Sequence, residues 1–284
     1  MARISIVTPS LNQGRFLGEA LESVRLQGYP CVEHLILDGG STDETIAMLQ
    51  TLDGHGQWPH VRWMSGPDGG QSDALNRGFA QAKGDIIGWL NSDDRYRPGC
   101  FEHIVKAFAE SPDVDVFYGD FTIMDQDGSV VRVRREIGFN RFILLYHRVL
   151  YIPTPSTFFR RRVFDEGHRL KRDLHYAMDY EFFLRLAEAD YRIQHIPHVI
   201  ADFRLHPESK SCSMERTQSR EKQQVMWSVS PITRRVGSPL MRRLAFLSLQ
   251  TVAGLLRWSE KLLRGYYFRP LDIRKMQKNT GTPH

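Results

Sequence analysis

The sequence predicts an α/β fold, with a mixed, mostly parallel sheet flanked by helices and a helical carboxyl-terminal extension. Two observations predict the sheet: short apolar runs of strand type alternate with segments of helical periodicity, and turn residues separate them. Such alternation favours parallel strands covered by helices on both faces. With 284 residues, of which 41% are hydrophobic, the chain can bury a full core in one large domain or in two.

The chain opens on a strand, a loop and a helix. Residues 4–8 alternate and are rich in β-branched side chains, which is typical of a strand. Residues 9–14 break this pattern with a proline and a glycine. Apolar side chains then recur at helical spacing over residues 16–24, until Gly28-Tyr29-Pro30 ends the helix.

Three further strands follow at short intervals. Residues 34–37 form an apolar strand, and Ser41 with Glu44 makes a capping box at the start of the next helix. Residues 61–64 form the third strand, which leads through a glycine-rich turn into a helix over about residues 72–82. Residues 85–90 form the fourth strand. Because parallel strands end at one edge of a sheet, the acidic loops that follow them are expected to meet there.

Asn91-Ser92-Asp93-Asp94 follows the fourth strand directly. Hard carboxylate oxygens at this edge suit Mg²⁺ or Mn²⁺ held together with substrate phosphates, although an Asp pair after a strand is also typical of a turn or a helix cap. Asp38, at the end of the second strand, can accept a hydrogen bond from a nucleobase or a ribose hydroxyl. No glycine-rich fingerprint of dinucleotide-binding or P-loop proteins follows these strands.

Four ordered motifs resemble glycosyltransferase family 2 of the GT-A fold. They are Thr8-Pro9-Ser10-Leu11-Asn12, residues 37–43, residues 67–78 and residues 90–94. The resemblance implies a Rossmann-like GT-A domain that transfers a sugar from a nucleotide diphosphate sugar with inversion, assisted by Mn²⁺ or Mg²⁺. Two positions depart from the usual pattern: Leu11 stands where an aromatic residue often stacks on the base, and Gly39 replaces a second Asp.

The resemblance also implies roles for individual residues. Asp38 would read the base of a nucleotide for which UDP is favoured, Asp93 would touch the ribose or the metal, and Asp94 would ligate the metal. His206 belongs to a stretch similar to the family's Arg-x-His-x-x-Ser segment, and a neutral imidazole can complete a carboxylate metal site. The expected nucleotide-sugar residues are Thr8, Pro9, Leu11, Asn12, Asp38, Asp68, Asp73, Asn76, Arg77, Asn91 and Asp93, and the expected metal ligands are Asp93, Asp94 and His206.

Asp179 is the expected catalytic base. An inverting transfer needs a carboxylate that removes the acceptor hydroxyl proton, and Asp179 lies in the first turn of a predicted helix where the matching family motif places this base. From the residues alone, an Asp that stabilises a helix amino end through the dipole is an adequate explanation. Glu181 is the reserve candidate and points to a different side of the helix.

The cysteines and the amino terminus favour a cytoplasmic protein. Cys31, Cys100 and Cys212 are odd in number and are not spaced for a metal or a disulfide framework. Residues 1–3 run directly into a strand, without the residue order of a signal peptide. We expect a GT-A domain over residues 1–215, with a nucleotide-sugar half over about 1–120 and an acceptor half over about 121–215. Residues 216–284 form the extension.

The extension is strongly basic. It holds 14 Lys or Arg and 3 Asp or Glu, a net charge of +11; since the whole chain carries +5, residues 1–215 carry −6. Between Arg243 and Arg257 lie 13 uncharged residues, which as a helix span roughly 20 Å, less than the roughly 30 Å of bilayer hydrocarbon. Leu240, Leu244, Leu247, Leu255, Trp258 and Leu262 share one helical face, and Arg242, Arg243, Arg257, Lys261 and Arg264 lie on the opposite arc.

This amphipathic helix, over residues 239–267, has two interpretations. It can lie in a membrane interface at the inner face of the cytoplasmic membrane, apolar side down, with its cations on anionic headgroups. Alternatively, it packs its apolar stripe on the domain or on a second copy of the chain in a homodimer, and leaves its basic face in water.

The predicted function is sugar transfer to a carbohydrate or lipid-linked acceptor hydroxyl, in cell-surface polysaccharide or glycolipid synthesis. A nucleotidyltransferase is the alternative enzyme, but it needs a basic loop after the first strand, and residues 9–14 contain no Lys or Arg. A non-catalytic membrane or nucleic-acid-binding protein is the alternative class. Acidic loops argue against a nucleic-acid partner, because phosphate contacts supply most of that affinity.

Overall fold

The computed structural model of the chain describes residues 1–53, 56–147, 149–210, 215–232 and 236–268. Cys212 lies outside these ranges. So do residues 233–235 and 269–284 of the expected extension. The strands are β1 (Ile4–Ser10), β2 (Val32–Asp38), β3 (Val61–Ser65), β4 (Ile86–Trp89), β5 (Arg95–Tyr96), β6 (Val116–Met124), β7 (Val130–Arg134), β8 (Thr157–Arg160) and β9 (Ile193–Arg204). The helices are α1 (Gly14–Arg25), α2 (Thr45–Asp53), α3 (Gln71–Gln81), α4 (Cys100–Glu110), α5 (Arg141–His147), α6 (Arg162–Asp165), α7 (Met178–Glu188), α8 (Glu215–Val229) and α9 (Pro239–Leu263).

The strands form one mixed sheet, in the order β3-β2-β1-β4-β8-β6-β9-β5 with β7 on β6. The first four strands pair in parallel, as the alternating pattern predicts. Beyond β4 the pattern changes, because β8 pairs antiparallel with both β4 and β6. The sequence-based expectation of a mixed α/β sheet flanked by helices is therefore confirmed, and the four predicted strands of the first half are all present.

Helix α3 packs unusually close to the central strands. A Cβ atom at Gly78 would lie 2.3 Å from Cγ1 of Val7 on β1 and 2.9 Å from Cδ2 of Leu37 on β2. Both distances are shorter than real side-chain contacts, so only glycine lets the helix approach this closely. This contact holds α3 directly against the two central strands.

An aromatic cluster anchors helix α7. Phe182 and Phe183 are fully buried, and the Phe183 ring stacks on Phe159 of β8 with centroids 6.1 Å apart. The Phe182 ring stacks on Phe164 of α6 at the same distance, and Phe164 in turn stacks on Phe79 of α3 at 4.2 Å. Burial of each of these side chains contributes about 1.5–3 kcal/mol. The cluster therefore holds the first turn of α7, with Asp179, at a fixed place beside the sheet.

The carboxyl-terminal helix α9 packs on the domain with Arg257 and Lys261 turned inward. The Glu136 carboxylate is fully buried; Arg257 Nη2 lies 2.6 Å from its Oε2 and Lys261 Nζ lies 3.1 Å from the same atom. Glu260 Oε1 accepts a hydrogen bond from the Gly138 amide at 2.8 Å. Ala253, in the middle of the helix, is fully buried against the core. The expected position of Arg257 and Lys261 on a face open to water or headgroups is therefore wrong, because a buried carboxylate draws both inward.

The apolar stripe of α9 faces outward instead. The side chains of Leu240, Leu244, Leu247, Leu255 and Trp258 are between 52% and 67% exposed. The expectation that this stripe packs on the domain is therefore also wrong. Within the described ranges, every helix is too short or too polar to serve as a membrane span.

We expect Arg257→Met to lower the free energy of unfolding by about 2–3 kcal/mol, because it removes a charged hydrogen-bond partner from a fully buried carboxylate. Urea or thermal unfolding measures the change. Leu255→Gln, on the exposed side of the same helix, is the matched control and should stay within about 0.5 kcal/mol of the wild type. Equal stability of the two variants would contradict the inward orientation of Arg257.

Candidate active site

A cavity of about 370 Å³ opens at the carboxyl edge of the parallel strands. Its wall combines the loops after β1 and β4, the start of α3, the start of α7 and the segment after β9. The cavity lies at the edge of the sheet at which the acidic loops were expected to meet, although Asp38 does not line it. The expected site residues that line it are Pro9, Leu11, Asp68, Asn91, Asp93, Asp179 and His206.

Asp93 and His206 form a pair in the cavity wall. Oδ2 of Asp93 lies 3.2 Å from Nε2 of His206. The imidazole is almost fully buried, packs its ring 4.7 Å from that of Phe16, and has no hydrogen-bond partner for Nδ1 among the described residues. The Asp93 side chain keeps 21% of its surface exposed. The structure thus brings together a carboxylate and an imidazole that the sequence places 113 residues apart.

Asp94 lies behind this pair and turns away from the cavity. It is 1% exposed; its Oδ1 accepts a hydrogen bond from the Arg204 amide at 3.0 Å, and its Oδ2 accepts one from Asn91 Nδ2 at 2.9 Å. Burial, and then the charge of Asp93, raises the pKa of the Asp94 carboxyl well above its usual range. Of the two adjacent carboxylates, the structure presents Asp93 to a ligand and uses Asp94 to hold the turn.

Arg204, at the end of β9, also holds the turn that carries Asp93 and Asp94 after β4. Its side chain is fully buried; Nε donates to the Asp93 carbonyl at 2.8 Å and Nη2 donates to Glu19 Oε2 at 2.7 Å. Nη1 donates to the Gln126 carbonyl at 3.0 Å. The sequence analysis assigned no role to Arg204, although its position two residues before His206 was the available signal.

Asp38 and Asn12 connect the first two loops instead of lining the cavity. The Asp38 carboxylate accepts hydrogen bonds from the Gly40 and Ser41 amides at 3.0 and 2.9 Å and from Ser65 Oγ at 2.7 Å. Asn12 Oδ1 accepts a hydrogen bond from the Thr42 amide at 2.8 Å. The role of Asp38 in reading a base stays a prediction, because its oxygens are engaged within the loops.

Thr8 lies below the cavity, inside β1. It is fully buried, and its Oγ1 lies 2.8 Å from Nε2 of His34. Burial lowers the pKa of His34 to about 3, so this imidazole is neutral near pH 7. Thr8 therefore supports the loop that carries Pro9 and Leu11, and the structure does not bring its side chain to the cavity wall.

Asp73, Asn76 and Arg77 face the acceptor half of the chain. The Asp73 carboxylate pairs with Arg77 at 2.7 Å and with Arg172 at 2.6 Å. Asn76 exchanges two hydrogen bonds of 2.9 Å with the backbone of Leu170. None of the three lines the cavity, so their expected contact with a nucleotide sugar stays a prediction, while their observed contacts join α3 to residues 170–172.

Asp179 lies in the cavity wall on the first turn of α7, facing the same space as Asp93. Burial raises the pKa of the Asp179 carboxyl, while the cations of Lys222 and Lys210 oppose this rise. A raised pKa brings a carboxylate closer to the range in which it accepts a proton efficiently near neutral pH. Its environment therefore suits a general base.

Glu181 is placed differently. Its carboxylate is buried and pairs with Arg185 at 2.9 Å and with Lys171 at 3.0 Å, outside the cavity. Glu181 therefore does not face the cavity, because its charge serves an ion-pair cluster at the side of α7.

Glu221 of α8 holds the segment that precedes Asp179. Its carboxylate accepts hydrogen bonds from the amides of His175, Tyr176 and Ala177 at 3.2, 2.7 and 2.9 Å. The first amides of a helix and of the turn before it lack intrahelical partners, and a carboxylate satisfies them. Sequence analysis missed Glu221, because no local pattern connects a residue on one helix to amides 44 to 46 positions earlier.

Lys210 adds a cation at the cavity rim. Its Nζ donates to Gln71 Oε1 at 2.8 Å, and Gln71 Nε2 donates to Asn91 Oδ1 at 3.0 Å. Asn91 thereby links the rim to Asp94. Lys210 was also missed, and its only sequence signal is its place in the polar segment that follows His206.

Among the described residues, no group of three or more His, Cys, Asp or Glu side chains is arranged to hold a metal ion. The pair of Asp93 and His206 is nevertheless a suitable partial donor set. Mg²⁺ and similar ions commonly take one or two protein ligands and complete their shell with substrate phosphates and water. A cation held by both side chains would replace the contact between Asp93 Oδ2 and His206 Nε2. The proton of the neutral imidazole would then lie on Nδ1, which has no other hydrogen-bond partner among the described residues.

The fold and the sequence match known transferases. In solved structures, S. aureus TarS 1-349 in complex with UDP-GlcNAc aligns over 98% of this chain and 79% of its own, with a TM-score of 0.65 and 17% identity. The mannosyltransferase PcManGT from Pyrobaculum calidifontis, in complex with GDP-Man and Mn²⁺, aligns over 97% of this chain and 78% of its own, with a TM-score of 0.62 and 16% identity. At these identities the likeness shows the GT-A fold alone.

Curated relatives share more of the sequence. An uncharacterized glycosyltransferase of Mycobacterium tuberculosis is 33% identical over 65% of this chain and 68% of its own length. The chondroitin synthase of Pasteurella multocida is 28% identical over 76% of this chain, which spans 22% of that much longer protein. The family model described as Glycosyl transferase family 2 matches residues 5–167, more than half of the chain. The chain therefore belongs to glycosyltransferase family 2 and is an enzyme of the glycosyltransferase type.

Proposed function

We propose that the enzyme transfers a sugar from a nucleotide diphosphate sugar to an acceptor hydroxyl, with inversion and with the help of Mn²⁺ or Mg²⁺. One observation carries the proposal: a single cavity presents Asp93 with His206 on one wall and Asp179 on another. The first pair suits a diphosphate with its cation, and the second carboxylate suits an acceptor proton. Sugar transfer needs the diphosphate site and the acceptor base in the same cavity.

The relatives support a choice of donor and product. Two TarS structures are complexes, one with UDP and one with UDP-GlcNAc, and the PcManGT structure is a complex with GDP-Man and Mn²⁺. Two relatives are named chondroitin synthase and hyaluronan synthase. We therefore favour a UDP-sugar as donor and a role in cell-surface polysaccharide or glycolipid synthesis. Residues 1–215 would form the catalytic domain, with α8 of the extension completing the acceptor side.

The reaction follows from the two walls of the cavity. Asp179 accepts the proton of the acceptor hydroxyl while that oxygen bonds to the anomeric carbon of the sugar. The bond from this carbon to the diphosphate oxygen breaks, and the nucleotide diphosphate leaves. When bound, the divalent cation would neutralise the charge that develops on the diphosphate. Lys210, at the rim of the same cavity, supplies a further positive charge from the protein.

Asp93 and His206 would hold the cation. The original expectation included Asp94, but the buried carboxylate of Asp94 is engaged by the Arg204 amide and by Asn91. Direct ligation by Asp94 would cost both contacts, whereas Asp93 already faces the cavity. We therefore assign the carboxylate ligand to Asp93.

The exposed stripe of α9 supports a peripheral membrane contact. Large apolar side chains on one face of a basic helix favour the interface of an anionic membrane. This contact would bring a cytoplasmic enzyme to the inner face of the membrane, where a lipid-linked acceptor is found. The alternative is that a second copy of the chain covers the same stripe in a homodimer.

The donor site is tested by a thermal-shift panel of UDP, GDP, CDP and dTDP, each with and without Mn²⁺. A nucleotide at 100 times its Kd should raise the free energy of unfolding by about 2.7 kcal/mol. We expect the largest response with UDP and Mn²⁺. If no nucleotide changes the melting temperature, the proposed donor site is wrong.

Mutations on the two walls of the cavity should have different effects on nucleotide binding and on kcat. Asp93→Asn should weaken nucleotide binding in the presence of Mn²⁺ and leave metal-free binding nearly unchanged. Asp179→Asn should keep nucleotide affinity near the wild type but lower kcat by about 10²–10⁴-fold, because it removes only the base. Calorimetry and release of the nucleotide diphosphate measure these effects. Glu181→Gln is the matched control for the base, and a loss of kcat as large as that of Asp179→Asn would overturn the assignment.

The pH profile gives an independent check on Asp179. A base acts when deprotonated, so kcat/KM should fall as the pH drops through its pKa. Since Lys222 lowers this pKa, Lys222→Gln should move the acid limb of the profile to higher pH. Arg220→Gln, on an exposed part of the same helix, is the control and should leave the limb in place. An acid limb that Lys222→Gln leaves unchanged would argue against Asp179 as the titrating base.

Membrane binding is tested by sedimentation with anionic liposomes. Leu255→Glu should reduce the bound fraction several-fold without lowering the melting temperature, because Leu255 is 61% exposed. High salt should also release the protein, since the headgroup attraction is screened. A wild-type dimer that Leu255→Glu converts to a monomer, with no liposome binding by either, would assign the stripe to self-association instead.

A further inference from the structure

A second concave surface lies between α8 and α9, away from the catalytic cavity. This groove has a volume of about 500 Å³. Its walls are aromatic and aliphatic: the Phe246 ring stacks on Trp227 with centroids 6.5 Å apart and lies 6.3 Å from the ring of Tyr146. Met226 and Leu247 complete the apolar lining. Such walls suit a flexible apolar chain, which gains stability from leaving water without needing directed hydrogen bonds.

The charged residues of the groove are both cations. Arg242 and Arg243 line it, and no Asp or Glu is among its lining residues in the described part of the chain. Nε and Nη2 of Arg242 donate to the Val236 carbonyl at 3.2 and 3.0 Å, and this neutral acceptor orients the guanidinium without neutralising its charge. Arg243 is exposed. An apolar groove with two guanidinium groups complements a lipid whose headgroup carries phosphate.

One helix connects this groove to the catalytic cavity. On α8, Gln218 lines the cavity and Gln223 lines the groove, and these two positions lie roughly 8 Å apart along the helix axis. Glu221, between the two, holds the backbone that precedes Asp179. A headgroup at the groove therefore lies close to the acceptor side of the cavity.

The groove is also continuous with the exposed stripe of α9. Leu247 belongs to both surfaces, since it lines the groove and is 53% exposed. A lipid chain that leaves a membrane at the stripe can enter the groove past this side chain without crossing water. The stripe alone does not indicate an acceptor, but the groove beside it has the shape and the charge of a binding site.

We propose that this groove binds the lipid part of an acceptor that carries a phosphate or diphosphate headgroup. The apolar chain lies against Trp227, Phe246 and Leu247, Arg242 and Arg243 bind the phosphate, and the hydroxyl to be glycosylated extends along α8 to Asp179. This assignment rests on the proposed transfer reaction and names the acceptor class for it.

The test uses farnesyl diphosphate as the probe and inorganic diphosphate as the headgroup control. Calorimetry is done with the full-length protein saturated with UDP and Mn²⁺, so that the catalytic cavity is occupied. We expect farnesyl diphosphate to bind at least tenfold more tightly than inorganic diphosphate. Equal affinities would overturn the proposal, because the apolar walls would then contribute nothing.

Two variant pairs locate the site. Leu247→Glu, in the groove and the stripe, should weaken farnesyl diphosphate binding at least tenfold, whereas Leu255→Glu, in the stripe alone, should not. Arg243→Glu should weaken it similarly, whereas Arg132→Glu, an exposed arginine on β7, should not. Binding that Leu247→Glu leaves unchanged would overturn the groove assignment.

Nucleotide binding by the wild type and by each variant distinguishes a failure of the proposed transfer reaction from a failure of the groove assignment alone. If the transfer reaction itself is wrong, neither the wild type nor Leu247→Glu responds to any nucleotide. If only the groove is wrong, both proteins respond to the nucleotide and neither prefers farnesyl diphosphate to inorganic diphosphate.

Discussion

The buried guanidinium of Arg204 connects the parts of the chain that form the catalytic edge. It joins the end of β9 to the turn after β4, to α1 through Glu19 and to the turn at Gln126. A fully buried cation is unfavourable unless its hydrogen bonds are satisfied, and each of these partners lies in a different element. Loss of either carbonyl would leave a buried N–H without an acceptor, and loss of the Glu19 carboxylate would leave the guanidinium without its ion-pair partner. The orientation of Asp93, and with it the cavity wall, therefore depends on this one side chain.

The acidic residues of the catalytic edge divide into two groups with different physical roles. Asp38, Asp73 and Asp94 are nearly fully buried, and their carboxylates are engaged by amides, hydroxyls or arginines of neighbouring loops. Asp93 and Asp179 line the cavity. The buried group costs desolvation energy, which their hydrogen bonds offset, and in return it fixes loops that have little regular structure of their own. The two carboxylates that line the cavity remain available to a ligand.

Helix α8 links catalysis to the surface of the molecule. Glu221 orders the backbone before Asp179, the charge of Lys222 lowers the pKa of the Asp179 carboxyl, and Gln218 lines the cavity. The opposite part of the helix forms the groove with α9, which is itself held by the buried Glu136. A ligand that moves α8 would therefore change the environment of the base. This arrangement would give an acceptor bound at the groove a physical connection to Asp179, the proposed base.

The sequence by itself determined the alternating strands and helices of the first half, because apolar periodicity is a local property of the chain. It also indicated the family, since four motifs keep their order and spacing. The resemblance to that family suggested Asp179 and His206, which line the same cavity as Asp93. Only the tertiary structure decided which of two adjacent carboxylates faces the cavity, because the amide that engages Asp94 lies 110 residues away. It likewise turned Arg257 of α9 inward, since the carboxylate that attracts this side chain lies 121 residues earlier. Periodicity shows that a helix has two faces, but the partner that a face meets depends on contacts that no local pattern contains.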